Sequence, residues 1–404
     1  MEILVQKFGG TSVKTAESRE HVTNHIKDAV ESGYKLVVVV SALGRKPDPY
    51  ATDTLLDLVD YPAHNNSDRE LDLLVSCGET ISAVLMANEL KKHHISATAL
   101  TGAEAGFITD DNFTKAKIKH IDTKRITHEF RTNDVLVVAG FQGRTEQGDI
   151  TTIGRGGSDT SAAALGAALK AERIEIFTDV SGIMTADPRV VDNARPLEVV
   201  TYKEICNLAY QGAKVVHPYA VEIAMQDKIP MRVRSNYSTE AGTLITETKE
   251  TERNGRTAQL MTGIAHKSEV TQIQIVIEDE ASHHHSQVLK AMEEAKIPVD
   301  FINISPAKVI YTIPHTLMDK AVHILESLGY EPNITKNCAA VSAVGAGMTN
   351  IPDVASKVNG ALTSSDVQIL QSAESHQNLW VLVHDKDLEV AVNTLHQVFG
   401  LDRV

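Results

Sequence analysis

The segment ILVQKFGGTS, residues 3–12, decides the fold of the first half of the chain. An apolar run leads into Lys7 and the pair Gly9-Gly10, and a helical stretch follows. The next apolar run, residues 36–40, is short enough to be a strand buried on both faces. Strand, glycine turn, helix and second strand in this order predict a β-α-β unit.

The same alternation continues along the chain. Further helices are predicted near residues 71–90 and 161–170, and further strands near residues 97–100, 135–138 and 174–177. Repeated alternation of strands and helices predicts an α/β domain with a mainly parallel sheet covered by helices. We place this domain at residues 1–246.

The pattern changes after residue 246. Residues 247–261 are polar and rich in charge, which predicts a linker. Two units with the same β-α-β-β-α order follow, at residues 262–336 and 337–404, and this order is typical of the ferredoxin-like fold.

The second of these units ends on its helix and therefore lacks a final strand. Its predicted strands lie at residues 339–344, 367–370 and 379–383. We expect residues 262–266, which precede the first unit, to supply the missing strand, so that the two units interlock. A position of Ile264 in the first unit's own sheet would contradict this expectation.

Composition and charge exclude several classes of protein. The hydrophobic fraction of 42% and the charged fraction of 23% are ordinary for a soluble globular protein. The net charge is −14 and no dense cluster of Lys and Arg is present, which argues against binding of nucleic acid. Anionic substrates would need a few well-placed cations.

Cysteine usage and hydropathy indicate a cytoplasmic protein. The three cysteines lie far apart without a Cys-x-x-Cys spacing, which argues against a disulfide framework and a zinc site. The apolar runs are far shorter than the ~20 residues of a membrane helix, and the N-terminus does not resemble a signal peptide.

Two glycine-rich motifs point to anion binding. Gly9 and Gly10 let the backbone approach a phosphate closely, and Lys7 adds a point charge, although such a turn can also be purely structural. In the motif GRGGSD, residues 154–159, Arg155 can bind a carboxylate through two parallel hydrogen bonds. Asp159 could hold a lysine or a metal ion, or cap the helix that follows.

Weaker signals come from other segments. Residues 177–189 follow an apolar strand, where open α/β sheets place ligand loops, but read alone they are an ordinary turn. Glu79 and Lys214 are also weak signals alone. A Glu that follows Gly at a helix start usually interacts with the helix dipole, and a Lys near a turn is usually solvated. Residues 283–285, three consecutive histidines, are predicted to be a solvated loop, and no metal site is predicted.

Together these motifs resemble the aspartokinase branch of the amino acid kinase family. They are KFGGTS (7–12), GRGGSD (154–159), TDVSGIMTADPR (178–189) and GAKVVHP (212–218), in the family's order. The similarity reaches the C-terminus, where the two ferredoxin-like units resemble paired ACT domains, and is particularly clear to the diaminopimelate-sensitive aspartokinases of bacilli. It implies a three-layer amino acid kinase fold and phosphorylation of the aspartate side-chain carboxylate by ATP with Mg²⁺.

The resemblance also implies roles for individual residues. Lys7 would contact the phosphates, and Asp159 would organise the catalytic lysines. Arg155 would bind the α-carboxylate of aspartate and Glu79 its ammonium group. Further substrate-binding positions are Ser41, Thr52, Gly156 and Ser158. The nucleotide-binding positions are Lys7, Gly9, Gly10, Thr178, Asp179, Met184, Arg189 and Lys214.

The chain departs from the family pattern at two places. Met184 stands where relatives often have an aromatic residue beside the adenine. The first ACT unit has EDEASH at residues 278–283 in place of the Pro-Gly turn that helps to form the effector pocket. The resemblance implies a dimer through the ACT units and an amino-acid effector: meso-diaminopimelate, with lysine or threonine as alternatives.

Two other functions remain open at this level. Another amino acid kinase, acting on glutamate or carbamate, would share the phosphate-binding loops but not normally the C-terminal pair. A catalytically silent amino-acid sensor would use only its ACT units, but the presence of Lys7, Asp159 and Lys214 favours an enzyme. A carboxylate that attacks ATP is already ionised, which agrees with the absence of a convincing catalytic histidine.

Overall fold

The computed structural model describes residues 2–213, 215–248, 261–277, 283–345 and 354–403. The chain divides into two compact units. The N-terminal unit comprises residues 1–183, 196–209 and 214–256, and the C-terminal unit comprises residues 184–195, 210–213 and 257–404. In the part of the chain that the structure describes, no helix is long and apolar enough to cross a membrane.

Among the described residues, twelve strands belong to the N-terminal unit. They are β1 (Ile3–Phe8), β2 (Lys35–Val40), β3 (Ala97–Leu100), β4 (Phe107–Thr109), β5 (Ile118–Ile121), β6 (Val135–Ala139), β7 (Gln142–Arg144), β8 (Ile150–Thr152), β9 (Arg173–Thr178), β10 (Val199–Thr201), β11 (Met231–Ser235) and β12 (Thr243–Thr246). Eight of them form the main sheet in the order β10-β12-β11-β9-β1-β2-β6-β3, and a small sheet has the order β5-β4-β7-β8. In the main sheet every pairing is parallel except that of β11 with β12.

Helices accompany the main sheet. They are α1 (Gly10–Val13), α2 (Ala16–Glu31), α3 (Thr52–Asp57), α4 (Asp68–Lys92), α5 (Lys124–Glu129), α6 (Gly157–Leu169), α7 (Tyr202–Tyr210) and α8 (Pro218–Gln226). The two longest, α2 and α4, begin at capping boxes, where Thr15 and Ser67 each exchange hydrogen bonds with the third helical residue. Residues 36–40 of β2 are fully buried, as a strand with both faces covered must be. The predicted α/β fold with a mainly parallel sheet is confirmed.

The C-terminal unit contains a second sheet and its helices. Its elements are β13 (Gly263–Val276), α9 (His283–Glu294), β14 (Asp300–Ser305), β15 (Lys308–Pro314), α10 (Met318–Ser327), β16 (Asn333–Val344), α11 (Val354–Ser364), β17 (Gln371–Glu374), β18 (Asn378–His384) and α12 (Leu388–Val398). The strand order is β14-β15-β13-β16-β18-β17, and every pairing is antiparallel.

The long strands β13 and β16 run through both ferredoxin-like halves of this sheet. Near the start of β13, Ile264 lies opposite Ala343, the part of β16 that also pairs with β18. Further along β13, Ile273 lies between Ile334 of β16 and Tyr311 of β15. Ile264 packs in the hydrophobic core of the second half, whereas Ile273 packs in that of the first.

One predicted strand is wrong. Residues 367–370 were expected to be a strand, but the strand in this place is β17, Gln371–Glu374. Asp366 has a left-handed backbone (φ 56°), and the amide of Val367 donates a hydrogen bond to Leu362 O, which closes the end of α11. Val367 is buried in the core from this turn, so its apolar character reflects packing rather than a strand.

Residues 184–195 pack into the C-terminal unit. Val191 is buried in the same hydrophobic core as α12. The Thr185 hydroxyl lies 2.9 Å from His396 Nε2, and Asn393 Nδ2 donates a hydrogen bond to Val190 O at 2.9 Å. Burial lowers the pKa of His396. A segment expected from the sequence to bind nucleotide is thus part of the unit that contains the ACT-like halves.

Candidate active site

A cleft of about 280 Å³ opens at the carboxyl ends of three neighbouring strands, β9, β1 and β2. It is lined by Lys7, Gly9, Gly10, Thr11, Ser12, Ser41, Gly44, Arg45, Asp159, Ile176, Phe177, Thr178, Asp179 and Val215. Open α/β sheets bind ligands at this edge because the loops that follow parallel strands converge there. Seven of the residues expected from the sequence meet here: Lys7, Gly9, Gly10, Ser41, Asp159, Thr178 and Asp179.

An ion pair lies in this cleft. Lys7 Nζ is 2.7 Å from Asp159 Oδ1, and both side chains are largely buried. Lys7 is near the end of β1 and Asp159 is in the first turn of α6, so the pair joins the sheet to a helix start. The second carboxylate oxygen of Asp159 accepts a hydrogen bond from the amide of His217 at 3.2 Å. The Asp159 carboxylate thus fixes the position of the Lys7 ammonium group.

The two loops that follow β1 and β2 are in direct contact. The amide of Gly44 donates a hydrogen bond to Gly10 O at 2.9 Å. A Cβ atom at Gly10 would lie 2.3 Å from Ala42 O, so only glycine permits this approach. The contact joins the loop with Gly9 and Gly10 to the loop that begins at Ser41.

Glu79 is a buried carboxylate beneath the second of these loops. Its side chain lies on α4, and the residue is only 3% exposed. Oε1 accepts a hydrogen bond from the amide of Ala42 at 3.1 Å, whereas Oε2 is buried and has no partner among the described residues. Burial raises the pKa of Glu79 to about 8. An unpaired buried oxygen of this kind is rare and needs an explanation, which a cationic ligand group would provide.

The loop with Arg155 lies between a hydrogen-bonded strand end and a closely packed helix start. Before it, Thr152 donates hydrogen bonds from its amide and hydroxyl groups to Asp72 of α4 at 2.8 and 2.5 Å. Within it, Gly156 has a left-handed backbone (φ 71°), and a Cβ there would lie 2.2 Å from the His217 ring. Arg155 itself is exposed. The loop therefore presents a guanidinium group from a fixed backbone.

Asp72 was missed by the sequence analysis. It is completely buried, and it also accepts a hydrogen bond from the amide of Thr114. Burial raises its pKa, and the hydrogen bonds from Thr152 and Thr114 oppose that rise. Asp72 lies near the start of α4, close to the charged residues 68–70, so no signal in the sequence set it apart from these charged neighbours.

The other predicted residues that the structure describes are not among those that line the cleft. Thr52 begins α3, and Gly156 and Ser158 lie at the start of α6. Met184 and Arg189 belong to the C-terminal unit, where Arg189 forms a 2.6 Å ion pair with Asp187. Lys214 and the turn at residues 278–282 lie outside the described residues. Arg45, Thr11 and Ser12 were not predicted but line the cleft.

The carboxylates in the cleft suit a Mg²⁺ ion that arrives with a nucleotide. Among the described residues, no group of three or more His, Cys, Asp or Glu side chains could hold a metal ion. Asp159 and Asp179 nevertheless line the cleft. Mg²⁺ typically binds through one or two carboxylates together with phosphate oxygens and water.

Comparison with known proteins identifies the family. The model of the amino acid kinase family matches residues 2–235, and a model of the ACT domain matches residues 333–397. Aspartokinase 1 of Bacillus subtilis is 55% identical over 404 residues, the full length of both chains. Aspartokinase of Geobacillus stearothermophilus is 38% identical, over 99% of this chain and 98% of its own.

Two solved structures of one relative support the same family. That of E. coli aspartokinase III in complex with aspartate and ADP matches with a TM-score of 0.78 and 26% identity, over 98% of this chain and 99% of that chain. The same protein in complex with lysine and aspartate matches with a TM-score of 0.78 and 25% identity, over 99% and 100% of the two chains. The chain belongs to the aspartokinase branch of the amino acid kinase family.

Proposed function

We propose that the cleft of the N-terminal unit transfers the γ-phosphoryl group of ATP to the side-chain carboxylate of L-aspartate. The products are ADP and 4-phospho-L-aspartate. The observation that carries this proposal is the ion pair between Lys7 and Asp159, 2.7 Å apart, beside glycine loops at the carboxyl ends of three strands. A reaction between two anions needs a fixed cation at the point where they meet.

The reaction needs little covalent help from the protein. One oxygen of the aspartate carboxylate forms a bond to the γ-phosphorus, while the bond from that phosphorus to the β–γ bridging oxygen breaks and its electrons leave with ADP. The carboxylate is already ionised, so no general base is required. Lys7 offsets the charge of the phosphoryl group, and Asp159 holds Lys7 in position. Mg²⁺ bound with ATP neutralises further charge on the β- and γ-phosphates.

Aspartate is recognised by charge in this proposal. Glu79 Oε2, which is buried and has no partner among the described residues, receives the ammonium group. Arg155 binds the α-carboxylate through two parallel hydrogen bonds. The other proposed substrate contacts come from Ser41, Thr52, Gly156 and Ser158. Nucleotide contacts come from Lys7, Gly9, Gly10, Thr178, Asp179, Met184, Arg189 and Lys214.

Release of ADP tests the catalytic role of Lys7. The wild-type protein should release ADP with aspartate but not with glutamate or carbamate. Lys7→Ala should lower kcat at least ~100-fold, the scale for loss of one transition-state contact. Lys35→Ala is the matched control, because Lys35 pairs with Asp134 outside the cleft. A Lys7→Ala kcat near that of the control would remove Lys7 from the mechanism.

Arg155→Ala tests the position of the α-carboxylate site. The variant should raise the KM for aspartate and leave the KM for ATP nearly unchanged, because the proposed contact is with aspartate alone. Steady-state kinetics with each substrate varied in turn measure both constants. An unchanged KM for aspartate would place the carboxylate site elsewhere.

Regulation forms a second part of the proposal. An amino-acid end product, meso-diaminopimelate first and lysine or threonine as alternatives, binds the ACT units of a dimer and stabilises a less active arrangement. The E. coli relative has been solved with lysine and aspartate in a T-state. The enzyme would work in the cytoplasm at the start of the synthesis of diaminopimelate, lysine, threonine and methionine. Titration of the activity with each amino acid tests the effector, and sedimentation tests the dimer.

A further inference from the structure

The loop after β2 contains Arg45, an exposed cationic residue at the cleft that neither the sequence motifs nor the family resemblance identified. Arg45 lines the same cleft as Lys7, Asp159 and the glycine pair. Among the described residues, its guanidinium group has no hydrogen bond or ion pair. An arginine in such a position is available to a ligand.

The backbone of Arg45 is held firmly. Its amide donates a hydrogen bond to Asp48 Oδ2 at 3.0 Å, and the amide of Asp48 donates one to Arg45 O at 2.7 Å. The Asp48 carboxylate is in turn 2.9 Å from Lys14 Nζ, and these contacts lower its pKa. The Gly44 amide is hydrogen-bonded to Gly10 O. The backbone that carries Arg45 is thus attached to the loop that would contact the phosphates.

The charges of the cleft indicate what the guanidinium group does. Among the described residues that line the cleft, the positive charges of Lys7 and Arg45 equal in number the negative charges of Asp159 and Asp179. The charge of Lys7 is already engaged by Asp159 at 2.7 Å. Without Arg45 the three remaining charges, those of Lys7, Asp159 and Asp179, would sum to a negative value, in a cleft that must accept two anions.

We infer that Arg45 is a further catalytic residue, which donates hydrogen bonds to the oxygens of the γ-phosphoryl group as it moves from ATP to the carboxylate. This inference rests on the proposed function. Charge spreads over the three equatorial oxygens of the group during transfer, and a planar guanidinium can bind two of them at once. Lys7, near the end of β1, and Arg45, in the loop after the adjacent strand β2, would then both contact the transferred group.

Kinetics of two Arg45 variants test the inference. Arg45→Met keeps much of the length of the side chain and removes the charge, and it should lower kcat about 100-fold, as loss of one transition-state donor does. Arg45→Lys should recover only part of this loss, because an ammonium group lacks the planar fork. Lys46→Met is the matched control, since the neighbouring Lys46 pairs with Asp57 and does not line the cleft. Its kcat should stay within about threefold of wild type.

Nucleotide binding separates a γ-phosphoryl contact from a structural role. Arg45→Met should weaken binding of the imido analogue of ATP about tenfold while the Kd for ADP stays unchanged, because ADP lacks the γ-phosphoryl group. Free guanidinium ion should restore part of the activity of Arg45→Ala. Equal loss of affinity for both nucleotides, or a kcat of Arg45→Met equal to that of Lys46→Met, would overturn the inference. A wild-type protein that releases no ADP with aspartate would instead overturn the proposed function.

Discussion

Two regions of α4 contain buried carboxylates with different surroundings. Asp72 and Glu79 are seven residues apart, about two helical turns, and therefore lie on the same face of the helix. The residues are 0% and 3% exposed, and burial raises the pKa of both. At Asp72, three donors from Thr114 and Thr152 surround the carboxylate. At Glu79, one oxygen is bonded to the Ala42 amide and the other has no partner among the described residues.

Asp72 and Glu79 differ in their hydrogen-bond partners although both are buried and both have a raised pKa. Neither burial nor a raised pKa alone therefore identifies a binding residue. A buried carboxylate whose oxygens are both hydrogen-bonded serves the fold, and here Asp72 holds the strand that leads to the Arg155 loop. A buried carboxylate with one unpaired oxygen has a position for a ligand. The two regions of α4 thus have separate tasks, and single substitutions should affect stability at Asp72 and substrate binding at Glu79.

The largest expected effect is the loss of stability in Asp72→Ala. Three donors lose a buried acceptor, and the free energy of unfolding should fall by about 4 kcal/mol. Urea denaturation followed by circular dichroism measures it. Asp68→Ala, an exposed carboxylate on the same helix, is the control and should cost less than about 1 kcal/mol. A loss in Asp72→Ala as small as in the control would remove the distinction between the two regions.

Glu79→Gln should have its main effect on aspartate. Loss of a charge-assisted hydrogen bond to the ammonium group should raise the KM for aspartate about 100-fold. The stability should hardly change, because the amide oxygen can still accept the hydrogen bond from Ala42 and no buried charge remains. The KM for ATP serves as the internal control. An aspartate KM close to that of wild type, or a large loss of stability, would assign Glu79 to the fold.

The smallest expected effect is on the pH dependence of aspartate binding. Burial raises the pKa of Glu79 to about 8, so its carboxyl group is mostly protonated in the free site at neutral pH. The ammonium group of aspartate, however, binds the ionised form of Glu79. Affinity should therefore rise with pH through this pKa and level off above it. The KM for aspartate should fall about tenfold between about pH 7 and about pH 9. Glu79→Gln should lose this dependence, and a wild-type KM that is flat or rises over this range would contradict the assignment.

Much of the fold could be predicted from the sequence because local signals agreed with one another. The apolar run of β2 and the glycine pair after β1 give strong patterns, and these elements lie where they were predicted. The strand predicted at residues 367–370 was wrong because Val367 is apolar for packing at a helix end. Hydrophobic periodicity cannot distinguish an apolar residue in a strand from an apolar residue that packs at the end of a helix.

The site could be predicted in part. The glycine motifs led to Lys7 and Asp159, which meet in the cleft although 152 positions separate them in the chain. Asp72 was missed because its partners, Thr114 and Thr152, lie in other elements that no local pattern brings together. Arg45 was missed because it precedes Lys46 in a polar loop and belongs to none of the motifs that the sequence analysis singled out. Only the three-dimensional structure shows that Arg45 lines the cleft together with Lys7.

Trapping of the product with hydroxylamine tests the central claim most directly. An acyl phosphate reacts with hydroxylamine to give a hydroxamate, so wild-type protein with MgATP and L-aspartate should form aspartyl hydroxamate in equal amount to the ADP released. Lys7→Ala should form at least ~100-fold less in the same time, and glutamate should give none. Release of ADP without hydroxamate, or an equal yield with glutamate, would contradict phosphorylation of the aspartate side chain.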